Sequence, residues 1–345
     1  MIMAECVFRD GTVISDYGRP YIVSEVNSSH RGKTEIAELM IDASVDIGCD
    51  CVKFQSWSAE SLYSKTYYDA NPISKKLVKR FSLSSEQLKK MAVYCRGKGI
   101  SFSSTPYSEK EVDFLIDECD VPYIKIASME VNNPRFLRYI GSKHVPVVFS
   151  TGMSDMTEIE AAVRVLEESG VEQMVILHCV SIYPTVIQTV NLNNILGLRE
   201  KFPRYPIGFS DHTEGDEAAV AAVALGVGFI EKHLTLDKSK VGMDNGMAAE
   251  PPLFKKLVRK CRDIQVAMGS KERVVTEDEL NQRNNMRRSI IAAVDIPAGH
   301  VIRASDLYAK RPGTGISPDR EELVIGKTAK TDILADTLIT LDNLE

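Results

Sequence analysis

The chain has 345 residues, of which 44% are hydrophobic and 26% charged, a balance that excludes a disordered chain. Its 42 basic and 48 acidic residues leave a net charge of −6, which argues against nucleic acid as the main partner. The longest apolar run, Ala218 to Ile230, is thirteen residues, short of the roughly 18 that a membrane span requires. At about 150 residues per domain, two domains are expected. Glu5, Arg9, Asp10 and Asp16 interrupt the first residues, so no signal-peptide core forms there. Seven cysteines, an odd number in apolar or helical contexts such as Cys95, Cys179 and Cys261, predict reduced thiols in a cytoplasmic protein. Cys49-Asp50-Cys51 lacks a second pair at zinc-finger spacing and reads as buried thiols.

In chain order, short apolar runs predict strands at Tyr21–Glu25, Cys51–Gln55, Ile100–Ser103, Tyr123–Ile126, Val145–Ser150, Met174–His178, Pro206–Ser210 and Gly228–Glu231. Amphipathic stretches predict helices between and after them, at Lys33–Ile47, Ser85–Lys98, Glu109–Glu118, Pro134–Ile140, Glu158–Ser169, Leu192–Lys201, Asp216–Leu225 and Leu253–Met268. Ser84, Ser108 and Asn133-Pro134 supply helix starts, and Gly170 and Gly269 follow helix ends. Eight strand-then-helix units in about 250 residues predict a closed parallel (βα)8 TIM barrel. The alternative, a doubly wound open sheet, lacks a Gly-x-Gly-x-x-Gly after the first strand.

The tail changes character. From Ser289 it carries short β-type runs split by Pro297-Ala298-Gly299 and Arg311-Pro312-Gly313-Thr314-Gly315. The expected division is a barrel domain over residues 1–270, a polar linker over 271–288 and a small β-rich domain over 289–345. The last is marginal alone at that size.

In such a barrel, chemistry gathers where the strands end. The expected ends carry Glu25; Lys53 and Gln55; Ser104 and Thr105; Lys125, Ser128 and Glu130; Ser150 and Thr151; His178, Cys179, Ser181 and Tyr183; Ser210, Asp211 and His212; and Glu231, Lys232 and His233. Strand alternation turns Lys53 and Lys125 toward the barrel interior. Two buried ammonium groups require anions, which a phosphate and a carboxylate would supply. His212 and His233 end neighbouring strands, and two imidazoles completed by water and substrate oxygens suit a divalent ion of the manganese type.

These motifs resemble one family, the sialic acid synthases and, more broadly, the nonulosonic acid synthases. The resemblance runs through Tyr21-Ile22-Val23-Ser24-Glu25, Val52-Lys53-Phe54-Gln55, Phe102-Ser103-Ser104-Thr105-Pro106 and Lys125-Ile126-Ala127-Ser128. It continues through His178-Cys179, Gly208-Phe209-Ser210-Asp211-His212 and Ile230-Glu231-Lys232-His233. The tail resembles the antifreeze-like SAF domain through Arg288-Ser289, Asp295-Ile296-Pro297-Ala298-Gly299 and Arg311-Pro312-Gly313.

The resemblance implies a metal-dependent carbon–carbon bond-forming transferase. Such an enzyme condenses phosphoenolpyruvate with an N-acylated hexosamine to give a nine-carbon 2-keto sugar acid and phosphate. By carry-over, Lys53, Thr105, Lys125, Ser128 and Ser210 hold phosphoenolpyruvate. Ser181, standing where the sialic acid enzymes have an asparagine, joins that set. Gln55 and Tyr183 face the sugar, and Glu25, Glu130 and Asp244 are the catalytic carboxylates, Glu130 being the candidate for the attacking water. His212 and His233 would hold the divalent metal ion, Mn2+ first, with Mg2+ or Co2+ as alternatives. Arg311 would reach the sugar's acyl group across a domain-swapped homodimer.

The chain departs from the family pattern at Met129, where glycine is common. It departs again at Gly242-Met243-Asp244-Asn245, where Gly-Pro-Asp-His is usual, and at Ala248-Ala249-Glu250-Pro251. The acceptor is therefore either N-acetylmannosamine or a 6-deoxy diacetamido hexose. Two other functions compete: an aldol-type synthase acting on a phosphorylated sugar, and a catalytically inactive sugar-binding homologue.

Overall fold

Alternation along eight parallel strands organises the first part of the chain. The computed structural model describes residues 3–345, which divide into two compact units, one ending at Gly269 and one beginning at Ser270. A hairpin, β1 (Glu5–Val7) and β2 (Val13–Ser15), precedes the barrel strands. These are β3 (Tyr21–Glu25), β4 (Cys51–Gln55), β5 (Ser101–Thr105), β6 (Ile124–Ile126), β7 (Val147–Ser150), β8 (Met174–Cys179), β9 (Ile207–Asp211) and β10 (Phe229–His233). Their order, β5-β4-β3-β10-β9-β8-β7-β6, is that of a TIM-like barrel. It is nearly closed: β5 and β6 lie side by side, but among the described residues no ladder joins them.

The two faces of the strands do different work. Ile22, Val52, Phe54, Ile124, Ile126, Val147, Phe149, Ile176, Phe209 and Ile230 point outward and pack beneath the helices in one large core. The alternate positions Tyr21, Val23, Cys51, Tyr123, Val148, Val175, Leu177 and Phe229 fill the barrel interior, joined by Phe8 and Ile14 from the hairpin. Phe8 meets Tyr21 edge-on at 5.7 Å between ring centroids, and Tyr21 stacks on Phe229 at 5.7 Å. This aromatic layer closes the N-terminal end, so the interior opens only toward the strands' C-terminal ends, where polar residues follow.

The helices begin where capping chemistry favours them. Ser84 accepts from the Gln87 amide in a capping box at the start of helix Ser85–Lys98. Ser108 accepts from the Glu111 amide, and Asn133 from that of Phe136, with Pro134 in the first turn. Each such cap contributes about 1 kcal/mol. Gly170 and Gly269 both carry positive φ. Three short helices, Ala59–Leu62, Lys65–Ala70 and Pro72–Phe81, fold the β4 connection over its own cluster of Trp57, Tyr68, Val78 and Phe81. Ala59–Leu62 and Lys65–Ala70, four and six residues long, are too short to carry a helical period in the sequence.

The second unit has its own core of Ile290, Ala292, Ile296, Ile302, Val324, Ala329, Ile333, Ile339 and Leu344. Strands β11 (Ser289–Ala292) and β12 (Leu307–Lys310) pair antiparallel, and isolated bridges such as Ile296–Ile333 extend the β character. The segment expected as a linker contains a helix, Glu277–Met286, capped by Thr276. It belongs to this unit: the Gly313 amide donates to Asn284 O, and Arg311 Nε donates to Met286 O at 3.1 Å. All seven cysteines are buried free thiols. No helix among the described residues is long and apolar enough to cross a membrane.

Candidate active site

Parallel register sets the polar residues in rows above the apolar interior. His233 pairs in register with Glu25, Glu25 with Lys53, and Lys53 with Ser103. On the other side, Ser210 stands opposite Glu231. The interior positions that continue Tyr21 and Val23, Cys51, Tyr123, Val148, Leu177, Gly208 and Phe229 toward the open end are therefore Glu25, Lys53, Lys125, Ser150, Cys179, Ser210 and Glu231. They line a cavity of about 330 Å3.

Four charges share its floor. Lys53 Nζ hydrogen-bonds Glu25 and lies 3.0 Å from Thr105 Oγ1 and 3.7 Å from Glu231 Oε2. Lys125 Nζ donates to Ser150 Oγ at 2.5 Å and lies 3.9 Å from Glu231 Oε1. Glu231 also accepts from Ser210 Oγ at 3.2 Å, while its buried Oε2 has no hydrogen-bond partner among the described residues. All four side chains are at most 5% exposed. Burial opposes ionisation of Glu231, but Lys125 and Lys53 outweigh it and hold its carboxyl below the usual range. Burial raises Glu25 against the pull of Lys53. For Lys125, burial prevails over Glu231 and lowers the ammonium. The floor is thus two cations held by carboxylates that an incoming anion can replace, ringed by hydroxyl donors.

His212 and His233 stand at the next level, with ring centroids 5.4 Å apart. His212 Nδ1 hydrogen-bonds Val180 O at 2.8 Å. That carbonyl fixes the ring's orientation, the kind of outer partner a ligating imidazole has; burial disfavours the charged ring, but Cys179 and the Val180 carbonyl outweigh it and raise its pKa. Burial first, then neighbouring cations, pushes His233 well below its ordinary pKa and keeps it neutral. Asp244 Oδ2 lies 3.7 Å from His233 Nδ1 and accepts from Asn27 Nδ2. No group of three or more His, Cys, Asp or Glu side chains among the described residues is arranged to hold a metal ion. The two imidazoles alone would leave the remaining positions of any bound ion to substrate and water, and they do not make a closed structural site.

Beside them, burial pushes the Cys179 thiol up, but His212 and Lys125 outweigh it and bring it to about 7. Tyr183 covers His212, with centroids 4.3 Å apart. Gln55 Oε1 accepts from Trp57 Nε1 at 2.7 Å and Tyr107 OH at 3.1 Å, which leaves its amide N–H groups for a ligand.

Twelve of the residues singled out from the sequence line this one cavity: Glu25, Lys53, Gln55, Thr105, Lys125, Ser128, Ser181, Tyr183, Ser210, His212, His233 and Asp244. Glu130 does not line it; its carboxylate accepts from Asn133 Nδ2 at 2.7 Å within the turn Ser128–Glu130. Arg311 lies in the second unit. Sequence reasoning placed Ser150 and Glu231 at strand ends but gave them no role, and it left out Asn27 and Tyr107. Ser150 and Glu231 share the interior parity of Lys125 and His233, the strand-alternation signal that gives them a place in the site.

Residues 40–273 of the chain match the NeuB family, and residues 287–345 match the SAF domain. The chain belongs to the NeuB family. It is 37% identical to an uncharacterized protein of Methanocaldococcus jannaschii over 95% of each chain. It is 35% identical to the N,N'-diacetyllegionaminic acid synthase of Legionella pneumophila over 94% of each. Among solved structures, the N-acetylneuraminic acid (sialic acid) synthetase of Leptospira borgpetersenii, in complex with citrate, is similar with a TM-score of 0.75 and 29% identity. That match covers 81% of this chain and 95% of that one. The Legionella and Leptospira relatives are sugar acid synthases by name, and the solved one shares this fold.

Proposed function

We propose that this NeuB-family chain condenses phosphoenolpyruvate with an N-acylated hexosamine, forming a nine-carbon 2-keto sugar acid and releasing phosphate. The observation that carries the reading is the pair of buried ammonium groups, Lys53 and Lys125, facing one cavity with Thr105, Ser128, Ser150 and Ser210 around them. A ligand with a phosphate and a carboxylate answers both lysines at once, where a neutral sugar alone would answer neither.

The site's residues support a definite sequence of roles. Lys53, Lys125 and the hydroxyls, Ser181 among them, hold the enol ester. Gln55, Tyr183 and Asp244 hold the sugar with its aldehyde carbon toward C3. A C3–C1 bond forms and positive charge develops at C2; of the two protons of the water that adds there, one ends on the former aldehyde oxygen and the other leaves with phosphate as the water oxygen becomes the ketone. Glu25 and Glu231, both within reach of Lys53, stabilise that charge and orient the water that adds there. Phosphate then leaves with cleavage of its C–O bond. Glu130, held by Asn133, acts by fixing the turn that carries Ser128. His212 and His233 would hold a divalent ion, Mn2+ by the chemistry of the donor set, which supplies Lewis-acid polarisation of the aldehyde.

The same resemblance that names Arg311 leads us to propose a homodimer in which the arginine is supplied in trans. Mixing His212→Ala with Arg311→Ala chains should restore one complete site per mixed dimer; no recovery after verified subunit exchange would refute the shared site.

Calorimetric titration tests the reading itself. Charge-assisted contacts contribute about 1.5 to 3 kcal/mol each, so Lys53→Met or Lys125→Met should weaken phosphoenolpyruvate binding by about ten- to a hundredfold. Unchanged affinity in either variant would count against it.

A further inference from the structure

The segment that follows β3 is firmly held. Val26, Asn27, Ser28, Ser29 and His30 are all buried. Turns tie them together: the Ser29 amide donates to Val26 O at 2.9 Å, and the Arg31 amide to Ser28 O at 2.8 Å. Asn27 holds a left-handed backbone, φ 36°, which asparagine tolerates better than most side chains. Its amide donates to Glu25 Oε1 at 2.6 Å. The connection after β10 is of another kind. Between Leu234 and Ala249, which form an isolated bridge, it has neither helix nor strand, and Ser239, Lys240, Val241 and Met243 are exposed.

Three consecutive residues of the first segment grip three consecutive residues of the second. Ser28 Oγ accepts from the Met243 amide at 2.8 Å, Asn27 Nδ2 donates to Asp244 Oδ2, and Ser29 Oγ donates to Asn245 Oδ1. Asn245 is 3% exposed, and its Nδ2 donates to Lys240 O at 2.8 Å. One side chain thus receives the grip and closes the turn behind it. Ser28, Ser29 and Asn245 do not line the cavity, whereas Asp244 does.

An irregular connection left free samples many backbone arrangements. A ligand that needs one of its side chains must then order it on every binding event. The grip supplies that order beforehand. Resting on the condensation proposed above, we infer that Ser29 and Asn245 are positioning residues for the sugar acceptor. Through their mutual hydrogen bond they set Asp244 in the site, 3.7 Å from His233 Nδ1. They take no part in holding phosphoenolpyruvate, whose lysines, Lys53 and Lys125, stand on β4 and β6.

Ser29→Ala, Asn245→Ala and the double variant test this. Phosphate release is followed with phosphoenolpyruvate, manganese and whichever of N-acetylmannosamine and a 6-deoxy-2,4-diacetamido hexose the parent uses better. Each single variant should raise the hexosamine KM by about tenfold, the scale of one buried hydrogen bond. Both kcat and the calorimetric affinity for phosphoenolpyruvate should stay within about twofold of the parent, the mark of lost binding rather than lost chemistry. The double variant should be no worse than the poorer single, because the two residues act through one bond. Amide hydrogen exchange should quicken over residues 236–248 and stay unchanged in the barrel strands. Circular dichroism confirms that each variant folds. An unchanged hexosamine KM, unchanged exchange over 236–248, effects that multiply in the double variant, or an equal loss of phosphoenolpyruvate affinity each overturns the positioning role and leaves the condensation standing. No phosphate from the parent with either acceptor overturns the condensation and, with it, this inference.

Discussion

Lys232 Nζ lies 2.7 Å from Asp211 Oδ2 on the outward face of the barrel, both side chains almost wholly buried. The ammonium also donates to Thr213 O at 2.7 Å, and Asp211 Oδ1 accepts from the Thr213 amide and hydroxyl. The next residues along the two strands are His212 and His233. The pair therefore ties together the strand ends that carry the imidazoles.

Lys232→Met leaves a buried carboxylate without its cation and should destabilise the fold by about 3 to 5 kcal/mol. Because both charges are then absent, Lys232→Met combined with Asp211→Leu should recover part of that loss. Urea unfolding of the two variants measures the difference. A double variant no more stable than the single would contradict the assignment.

Gly152 sits where the site has no room for a side chain. A Cβ there would lie 2.2 Å from Ser181 Oγ, 2.8 Å from Ser128 Oγ and 3.3 Å from Cys179 Sγ, and its amide donates to Ser128 Oγ at 3.0 Å. Gly152→Ala should displace the two serines and raise KM for phosphoenolpyruvate by about tenfold, the scale of a small misplacement of binding groups. Thermal unfolding should shift only modestly, since serine side chains can move. A normal KM would remove Ser128 and Ser181 from the binding set.

His30 offers a pH test away from the histidine pair. Burial pushes its pKa down to about 4 from 6.5, and its Nδ1 accepts from the Gly32 amide at 3.1 Å. The folded state holds the ring neutral, so below about pH 6.5 the unfolded chain binds a proton that the folded chain does not. Stability should therefore fall as pH drops from 6.5 to about 4, by about 3 kcal/mol in all, and level off beneath. His30→Gln should lose that component. Equal pH slopes in the two proteins would show that His30 is charged in the fold or open to solvent.

Much of this arrangement was legible in the sequence, and for one physical reason. Strands buried on both faces are continuous apolar runs, so an interrupting Lys53, Lys125 or His233 stands out. Tyr21–Glu25 and Cys51–Gln55 coincide with β3 and β4. The hairpin Glu5–Val7 and Val13–Ser15 was not legible, because each strand has three residues and its burial comes from tertiary contact with Tyr21, Tyr123 and Phe229. Helix Glu277–Met286 was hidden by its polarity: none of its residues is buried, and capping by Thr276 with three acidic residues in the first turn marks its start. Glu231 was visible as a strand end, but its place between two ammonium groups depends on the closure of β10 against β9 and β3.

The histidine pair makes its own prediction. Equilibrium dialysis should find manganese bound to the intact chain. His212→Ala or His233→Ala should weaken that binding by more than about a hundredfold, beyond the cost of losing an outer-shell partner. Val180 supplies only a backbone carbonyl to His212, so a substitution at position 180 should leave the metal affinity near that of the parent. Undiminished binding in both alanine variants would place the ion elsewhere.

The central claim, carbon–carbon bond formation with cleavage of the C–O bond of phosphoenolpyruvate, is tested most directly by isotope tracing. Phosphoenolpyruvate carrying 18O in the bridge between C2 and phosphorus is incubated with the enzyme, manganese and the preferred hexosamine, and both products are read by mass spectrometry. The label should appear in inorganic phosphate, beside a 2-keto acid three carbons longer than the acceptor. Label retained on a three-carbon pyruvate, with the acceptor unchanged, would contradict the account.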